Sequence, residues 1–182
     1  ASYIEQTTGL TIDLAAGSSS EGDQLIDIEN AIGGQGDDII VSGAGASLID
    51  GHTGTDTVSY QAFTTDLTVT LGGPNSVGDT LTSIENLIGG SGNDILTGDA
   101  GDNSLAGGLG DDILAGGAGN DALDGGDGLD TASYAGAAAA VVADLTTGTA
   151  TIGTEQDTLT SIENLIGTDF DDTLTGDAGD NT

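Results

Sequence analysis

Seven aspartates hold the same place in a repeated nine-residue unit: Asp38, Asp56, Asp94, Asp112, Asp121, Asp130 and Asp172 each occupy its sixth position. The unit reads glycine, glycine, any residue, glycine, any residue, aspartate, any residue, apolar, any residue. Ten copies begin at Gly33, Ser42, Gly51, Gly89, Gly98, Gly107, Gly116, Gly125, Gly167 and Gly176, and their other sixth positions hold Ser47, Asn103 and Asn181. Carboxylates on short arms beside tight turns can exchange protons as an acid–base pair, or they can coordinate a hard cation through oxygen. A catalytic pair occurs once, in a cleft. These carboxylates recur as a lattice, which points to cations.

The charge balance points the same way. The 182 residues carry 31 acidic side chains and no Lys or Arg, a formal charge of −31, which excludes nucleic acid and anionic membrane surfaces as simple electrostatic partners. Of the acids 25 are Asp and 6 are Glu, a bias that solubility alone does not require and that turn-borne cation ligands do. With no Cys and one His, His52, the chain has no disulfide framework and no zinc ligand set. Without Cys, Lys or Arg, acyl, phosphoryl and Schiff-base chemistry lack their parts, so the segment is not expected to be an enzyme. No apolar run is long enough to span a bilayer, and Ala1 opens no signal-peptide pattern. We expect a segment of a longer protein, without membrane insertion.

The elements that position the aspartates follow from the eighth position, occupied by Ile40, Ile49, Val58, Leu96, Leu105, Leu114, Leu123, Ala132 and Leu174. One inward apolar side chain per nine residues gives a helix no continuous buried face, and 33 glycines would each cost it about 1 kcal/mol. Short strands after glycine turns remain. A longer period overlies the short one. Tyr3, Tyr60 and Tyr134 each precede an alternating strand (Leu10, Ile12, Leu14; Leu67, Val69, Leu71; Val141, Ala143, Leu145), and each super-repeat then passes through an Ile-Glu-Asn segment. The super-repeats span about 1–57, 58–131 and 132–182 of one continuous array; from Ile28 to Tyr60 is 32 residues and from Ile84 to Tyr134 is 50, a difference of two nonapeptides, so 18 residues make one coil.

In that register Asp94 lies over Asp112, Asp112 over Asp130, Asp38 over Asp56 and Asn103 over Asp121, about 4.8 Å apart. Paired carboxylates at that spacing repel by roughly 1 kcal/mol in water and by several at a protein-like dielectric. A divalent hard ion reverses the sign. Calcium accepts six to eight oxygens in tolerant geometry, whereas magnesium demands a tight octahedron and keeps its waters.

The units GGLGDDILA, GGAGNDALD and GGSGNDILT resemble the RTX calcium-binding nonapeptide. The resemblance implies an all-β fold, a right-handed parallel β-roll or β-helix solenoid, with several calcium ions between stacked turns. It implies as metal ligands Asp38, Asp56, Asp94, Asp112, Asp121, Asp130 and Asp172, with Asn103 at the same position. The turn glycines would add carbonyls: Gly33, Gly34 and Gly36; Gly51 and Gly54; Gly89, Gly90 and Gly92; Gly107, Gly108 and Gly110; Gly116, Gly117 and Gly119; Gly125, Gly126 and Gly128. Ser47 and Phe170 break the pattern and weaken the turns at Ser42 and Gly167. Asp37, Asp102, Asp111 and Asp171, one place earlier, are expected to point outward as solvated charge, and the tyrosines to pack where the roll changes width. Glu29, Glu85 and Glu163 fall under Ser47, Asn103 and Asn181, which predicts ion-free joints in which Glu85 bonds Asn103 and Glu29 bonds Ser47.

The resemblance further implies a calcium-binding structural module of a secreted or cell-surface RTX protein of the adhesin or surface-layer kind, unfolded until calcium is met outside the cell. The other reading is an accessory module of a secreted protease, lipase or polysaccharide epimerase. Partners beyond calcium would be neighbouring repeats, a second copy of the chain, or extracellular polysaccharide.

Overall fold

The computed structural model describes residues 1–182, and every regular element in it is a β-strand. Successive nonapeptides deliver their strands alternately to one eleven-stranded sheet and to two smaller sheets of five and three strands. Ile95–Thr97, Ile113–Ala115 and Thr131–Ser133 go to the five-stranded sheet, while Ser104–Leu109 and Ala122–Asp127, lying between them in the chain, go to the large one. This is a parallel β-roll. The alternation arises because each glycine turn reverses the chain after a strand of only a few residues.

The stacking register is 18 residues wherever strict nonapeptides follow one another: Leu96 pairs with Leu114, Leu105 with Leu123, Ile40 with Val58 and Ala31 with Ile49, all in parallel. Where a super-repeat inserts its own segment the coil lengthens, and Leu123 pairs with Leu159, Val69 with Leu96 and Val58 with Leu87. The extra length is absorbed as added strands of the eleven-stranded sheet. In the first super-repeat Thr11–Asp13 pairs antiparallel with Ser18–Ser19, and in the last Val141–Asp144, Thr149–Ile152 and Glu155–Thr160 form an antiparallel meander. The nonapeptide pattern does not describe these hairpins. Gly17, Gly148 and Gly153, all at positive φ, turn them.

Inside the roll the eighth-position side chains stack in two facing files. Ile40, Val58, Leu96, Leu105, Leu114 and Ala132 are fully buried, and Ile49 and Leu123 nearly so. Leu174 departs from this pattern and is 44% exposed, because Thr173–Thr175 is an edge strand with a neighbour on one side only. Tyr60 and Tyr134 join the core at the start of their super-repeats, and Tyr3 packs partly against it.

So narrow a core leaves much of the fold to polar contacts. The chain makes 84 backbone–backbone hydrogen bonds, against roughly 120 for an ordinary domain of this length. Carboxylate and amide side chains cap many of the remaining backbone N–H groups.

Candidate metal centre

The turn aspartates form an inner ladder along the roll. One oxygen of each accepts the backbone N–H of the matching residue one coil earlier. Asp38 N–H donates to Asp56 Oδ1 at 2.8 Å, Asp94 to Asp112 at 2.7 Å, Asp112 to Asp130 at 2.8 Å and Asn103 to Asp121 at 2.9 Å, each across 18 residues. Across the longer coils the same bond reaches Asp157 from Asp121, Asp79 from Ser47 and Asp38 from Leu10. Asp79 and Asp157 belong to no nonapeptide, yet each stands two residues before a buried leucine, as the repeat aspartates stand two before their apolar eighth position.

An outer ladder runs the opposite way. Asp37, Asp102 and Asp111 are exposed, as expected of the fifth position, but they are not merely solvated: each accepts an N–H from the coil above, from Thr55, Asn120 and Leu129. Asn93 does the same for Asp111. Asn30, Asn86 and Asn164 of the Ile-Glu-Asn segments add a third row, accepting from Leu48, Ser104 and Thr182, each 18 residues on. The Asp or Asn before the sixth position at Asp37, Asn93, Asp102 and Asp111 was the available signal for the outer row. Each strict coil is thus clipped to its neighbour in both directions.

The second carboxylate oxygen divides the turns into two kinds. In closed turns it accepts the N–H of the second residue of its own turn: Gly34 donates to Asp38 at 2.5 Å, Gly90 to Asp94 at 2.7 Å and Thr168 to Asp172 at 2.6 Å. Asn103 and Asn181 accept likewise from Asp99 and Asp177. In open turns the peptide before the second residue is flipped, which registers as positive φ at His52, Gly108, Gly117 and Gly126. The N–H then points away. Oδ2 of Asp56, Asp112, Asp121 and Asp130 is left buried with no hydrogen-bond partner, an arrangement that costs several kcal/mol per charge unless something else supplies it. Every open turn follows another nonapeptide by 18 residues, whereas every closed turn has a super-repeat loop there instead.

Between an open turn and the turn beneath it, backbone oxygen faces inward. A side chain at Gly54, Gly110, Gly119 or Gly128 would overlap the carbonyl oxygen of Gly36, Gly92, Gly101 or Gly110, and none of these four oxygens accepts a backbone hydrogen bond. Gly108, Gly117 and Gly126 are opposed in the same way by the carbonyls of Gly90, Asp99 and Gly108. First-position glycines are required for another reason: at Gly33, Gly51, Gly89, Gly107, Gly116 and Gly125 the turn's own carboxylate folds back over the Cα.

Four cradles result: turn 33–38 with 51–56, 89–94 with 107–112, 98–103 with 116–121, and 107–112 with 125–130. Each offers stacked Asp or Asn side chains and inward carbonyls. No three acidic or imidazole side chains converge anywhere, so an ion here needs backbone oxygens to complete its shell. The donor set, all oxygen and doubly anionic in three of the four cradles, fits a hard divalent cation. Burial is the largest cause pushing Asp56, Asp112 and Asp121 up to about 6, and neighbouring charges add to it, Asp38 on Asp56 and both Asp94 and Asp130 on Asp112. Asp94 and Asp130 are raised for the same reason.

The other candidate residues lie outside the cradles. Asp172 is half-buried, and Val141 N–H and the Thr168 N–H and hydroxyl occupy its oxygens. Ser47 carries no carboxylate of its own and meets Asp79, an inner-ladder aspartate from outside the nonapeptides. The Ile-Glu-Asn joints differ from expectation in their atoms. Asn103 Nδ2 donates to the backbone carbonyl of Glu85 at 2.9 Å, while the Glu85 carboxylate turns the other way and accepts Asp56 N–H. Glu163 does the same for Asp130. Glu side chains, one methylene longer, therefore stand in for the missing aspartate of the inner ladder. Glu29 makes no bond to Ser47, whose hydroxyl donates to Gly45 O.

The family model of the RTX calcium-binding nonapeptide repeat matches the chain four times, over residues 32–62, 81–114, 98–132 and 157–182, together more than half its length. No curated protein matches it.

Proposed function

The chain belongs to the family of RTX calcium-binding nonapeptide repeats, and from that premise we propose that its four cradles are the calcium sites and that binding there drives folding. The family's repeats bind calcium and form structural modules. The observation that supports the assignment is the set of buried, unpartnered Oδ2 atoms on Asp56, Asp112, Asp121 and Asp130, one per cradle. Asp38, Asp94, Asp112 and Asn103 contribute from the turn beneath, and the carbonyls of Gly36, Gly92, Gly101 and Gly110 close the shell. Calcium supplies the positive charge that offsets the stacked carboxylates. The chain's own part is to present them: flipped peptides withdraw the competing N–H donors, and the ladders fix the coil spacing.

In this reading metal-binding free energy is folding free energy. The protein is a calcium-dependent scaffold of a secreted or surface RTX protein of adhesin type, kept unfolded by its −31 charge until it meets extracellular calcium. Three super-repeats in tandem, and the absence of any nucleophile–base pair, support a scaffold over a catalytic role. Calcium titration followed by circular dichroism, with the bound ions counted by mass spectrometry, tests it. Full β-structure in a calcium-stripped sample at neutral pH would overturn the coupling, and a catalytic motif in the flanking open reading frame would favour the accessory-module reading instead.

A further inference from the structure

Tyr60 and Tyr134 begin the second and third super-repeats on the same backbone. Each donates its N–H at 2.8 Å to the isoleucine that ends the stacked Ile-Glu-Asn strand, Ile88 or Ile166, and each closes a turn by accepting the N–H of the residue three places on, Phe63 at 2.9 Å and Ala137 at 3.0 Å. Both tyrosines are buried. What lies against them differs. The Phe63 ring meets the Tyr60 ring edge-on, with 5.7 Å between centres and 66° between planes, and Phe63 and Val77 both pack against the core. Val77 and Glu155 stand at the same place, two residues before the inner-ladder aspartates Asp79 and Asp157. The third super-repeat therefore has Ala137 and Glu155 where the second has a phenyl ring and an isopropyl group.

The space so vacated is not refilled from within the chain. Tyr134, Ala137, Ala138, Ala139 and Ile152 border a cavity of about 620 Å³ that opens to solvent, and half-buried Glu155 is the one charged residue in its lining. A cavity of that size with apolar walls and one fixed charge suits an apolar group carrying the opposite charge. The chain cannot supply that charge, since it has no Lys or Arg. Its one other phenylalanine, Phe170, is 53% exposed, but Asp169 and Asp171 flank it, so a second copy would bring carboxylates to Glu155.

We propose that the cavity beside Tyr134 is a docking site for a segment of a partner protein that inserts an aromatic side chain flanked by lysine or arginine. The ring takes the place that Phe63 holds at Tyr60, and the basic group meets Glu155. The site needs the folded roll, whichever ions hold it together.

Capped peptides Lys-Phe-Lys, Lys-Ala-Lys and Glu-Phe-Glu, titrated into the calcium-saturated chain at physiological ionic strength and followed by NMR, test it. Lys-Phe-Lys should bind about tenfold or more tightly than either of the others. Ala137→Phe, which returns the missing ring, should abolish that preference while the circular dichroism spectrum and calcium midpoint stay as they were. Glu155→Gln should weaken Lys-Phe-Lys severalfold, and it serves as the test where Ala137→Phe does not fold. Equal binding of Lys-Phe-Lys and Lys-Ala-Lys would reduce the effect to attraction by net charge and overturn the proposal, as would unchanged binding in either variant. Glu-Phe-Glu binding as tightly as Lys-Phe-Lys, or a dimer in sedimentation that Phe170→Ala dissolves, would give the cavity to a second copy and overturn it too.

Discussion

The turn at 42–47 and the turns at 107–130 solve one problem in two ways. Each must place a residue of the inner ladder in a dry interior, the first without the positive φ that the others adopt at their second and fourth positions. The first does so with Ser42 and Ser47, whose hydroxyl and N–H satisfy Asp79, and it keeps every buried oxygen bonded. The others do so with Asp112, Asp121 and Asp130, each left with an unpartnered oxygen. The difference teaches that the β-roll backbone does not itself require an ion. In the proposed function, what calls for one is a carboxylate stacked over another glycine turn with its peptide flipped.

The largest effect should follow from removing the ion. At neutral pH a calcium-stripped sample should lose nearly all its β-structure by circular dichroism and recover it on adding calcium. A chain that kept only the region around residues 42–47 would sharpen the contrast, and one that kept everything would break it.

Next in size, Gly110→Ala should raise the calcium midpoint of folding by tenfold or more. The new methyl would strike the Gly92 carbonyl at a residue whose φ is +115°. Asp112→Ala, which removes a member of two cradles, should raise the midpoint by about tenfold to a hundredfold, and Asp56→Ala, which serves one, by less. Asp111→Ala on the exposed outer ladder should shift it only a few-fold. Equal shifts for all three aspartates would mean that the charge acts diffusely.

A pH titration of the calcium-free chain comes third. Asp56, Asp112 and Asp121 have folded-state values raised to about 6 from an ordinary 3.8. A raised group adds stability that is complete below the unfolded value and lost as pH rises through the folded one. The ion-free chain should therefore gain β-structure on acidification from about pH 7 to pH 4, while calcium, competing with protons, should bind more weakly below about pH 6. Circular dichroism at both ends of that range, with and without calcium, checks both signs. The smallest effect belongs to Gly45→Ala in the serine turn, where nothing lies within 4 Å of the added methyl and φ is ordinary. It should leave the calcium midpoint unchanged within about twofold or lower it slightly.

Much of this was legible from spacing. The eighth-position file of Ile40 to Ala132, the 18-residue register and the pairing of Asp94, Asp112 and Asp130 all follow from a nine-residue period on a two-sided roll. The first strands of the hairpins at residues 11–19 and 141–160 were legible as alternating strands, but their antiparallel returns were not, because those segments obey no nine-residue period. Nor was the flip of the turn peptides. Gly90 and Gly108 are the same residue at the same position of the unit, and only what stacks beneath them sets their conformations apart. The partner of Glu85 was misread for a geometric reason: register places residues on top of one another, but the longer glutamate arm chose the N–H below it over the amide above.

The opposed ladders have a mechanical consequence. Their bonds join coil to coil along the roll axis, so a pull between the two ends of the chain loads the junctions in series rather than sharing the force among them. Such a rod should yield one coil at a time, each released coil of 18 residues lengthening the tether by about 60 Å. Calcium concentration would set the force at which the steps begin. In a single-molecule stretching trace the junction that gives way at the same tension with or without calcium should be the one closed by Ser42, Tyr60 and Asp79.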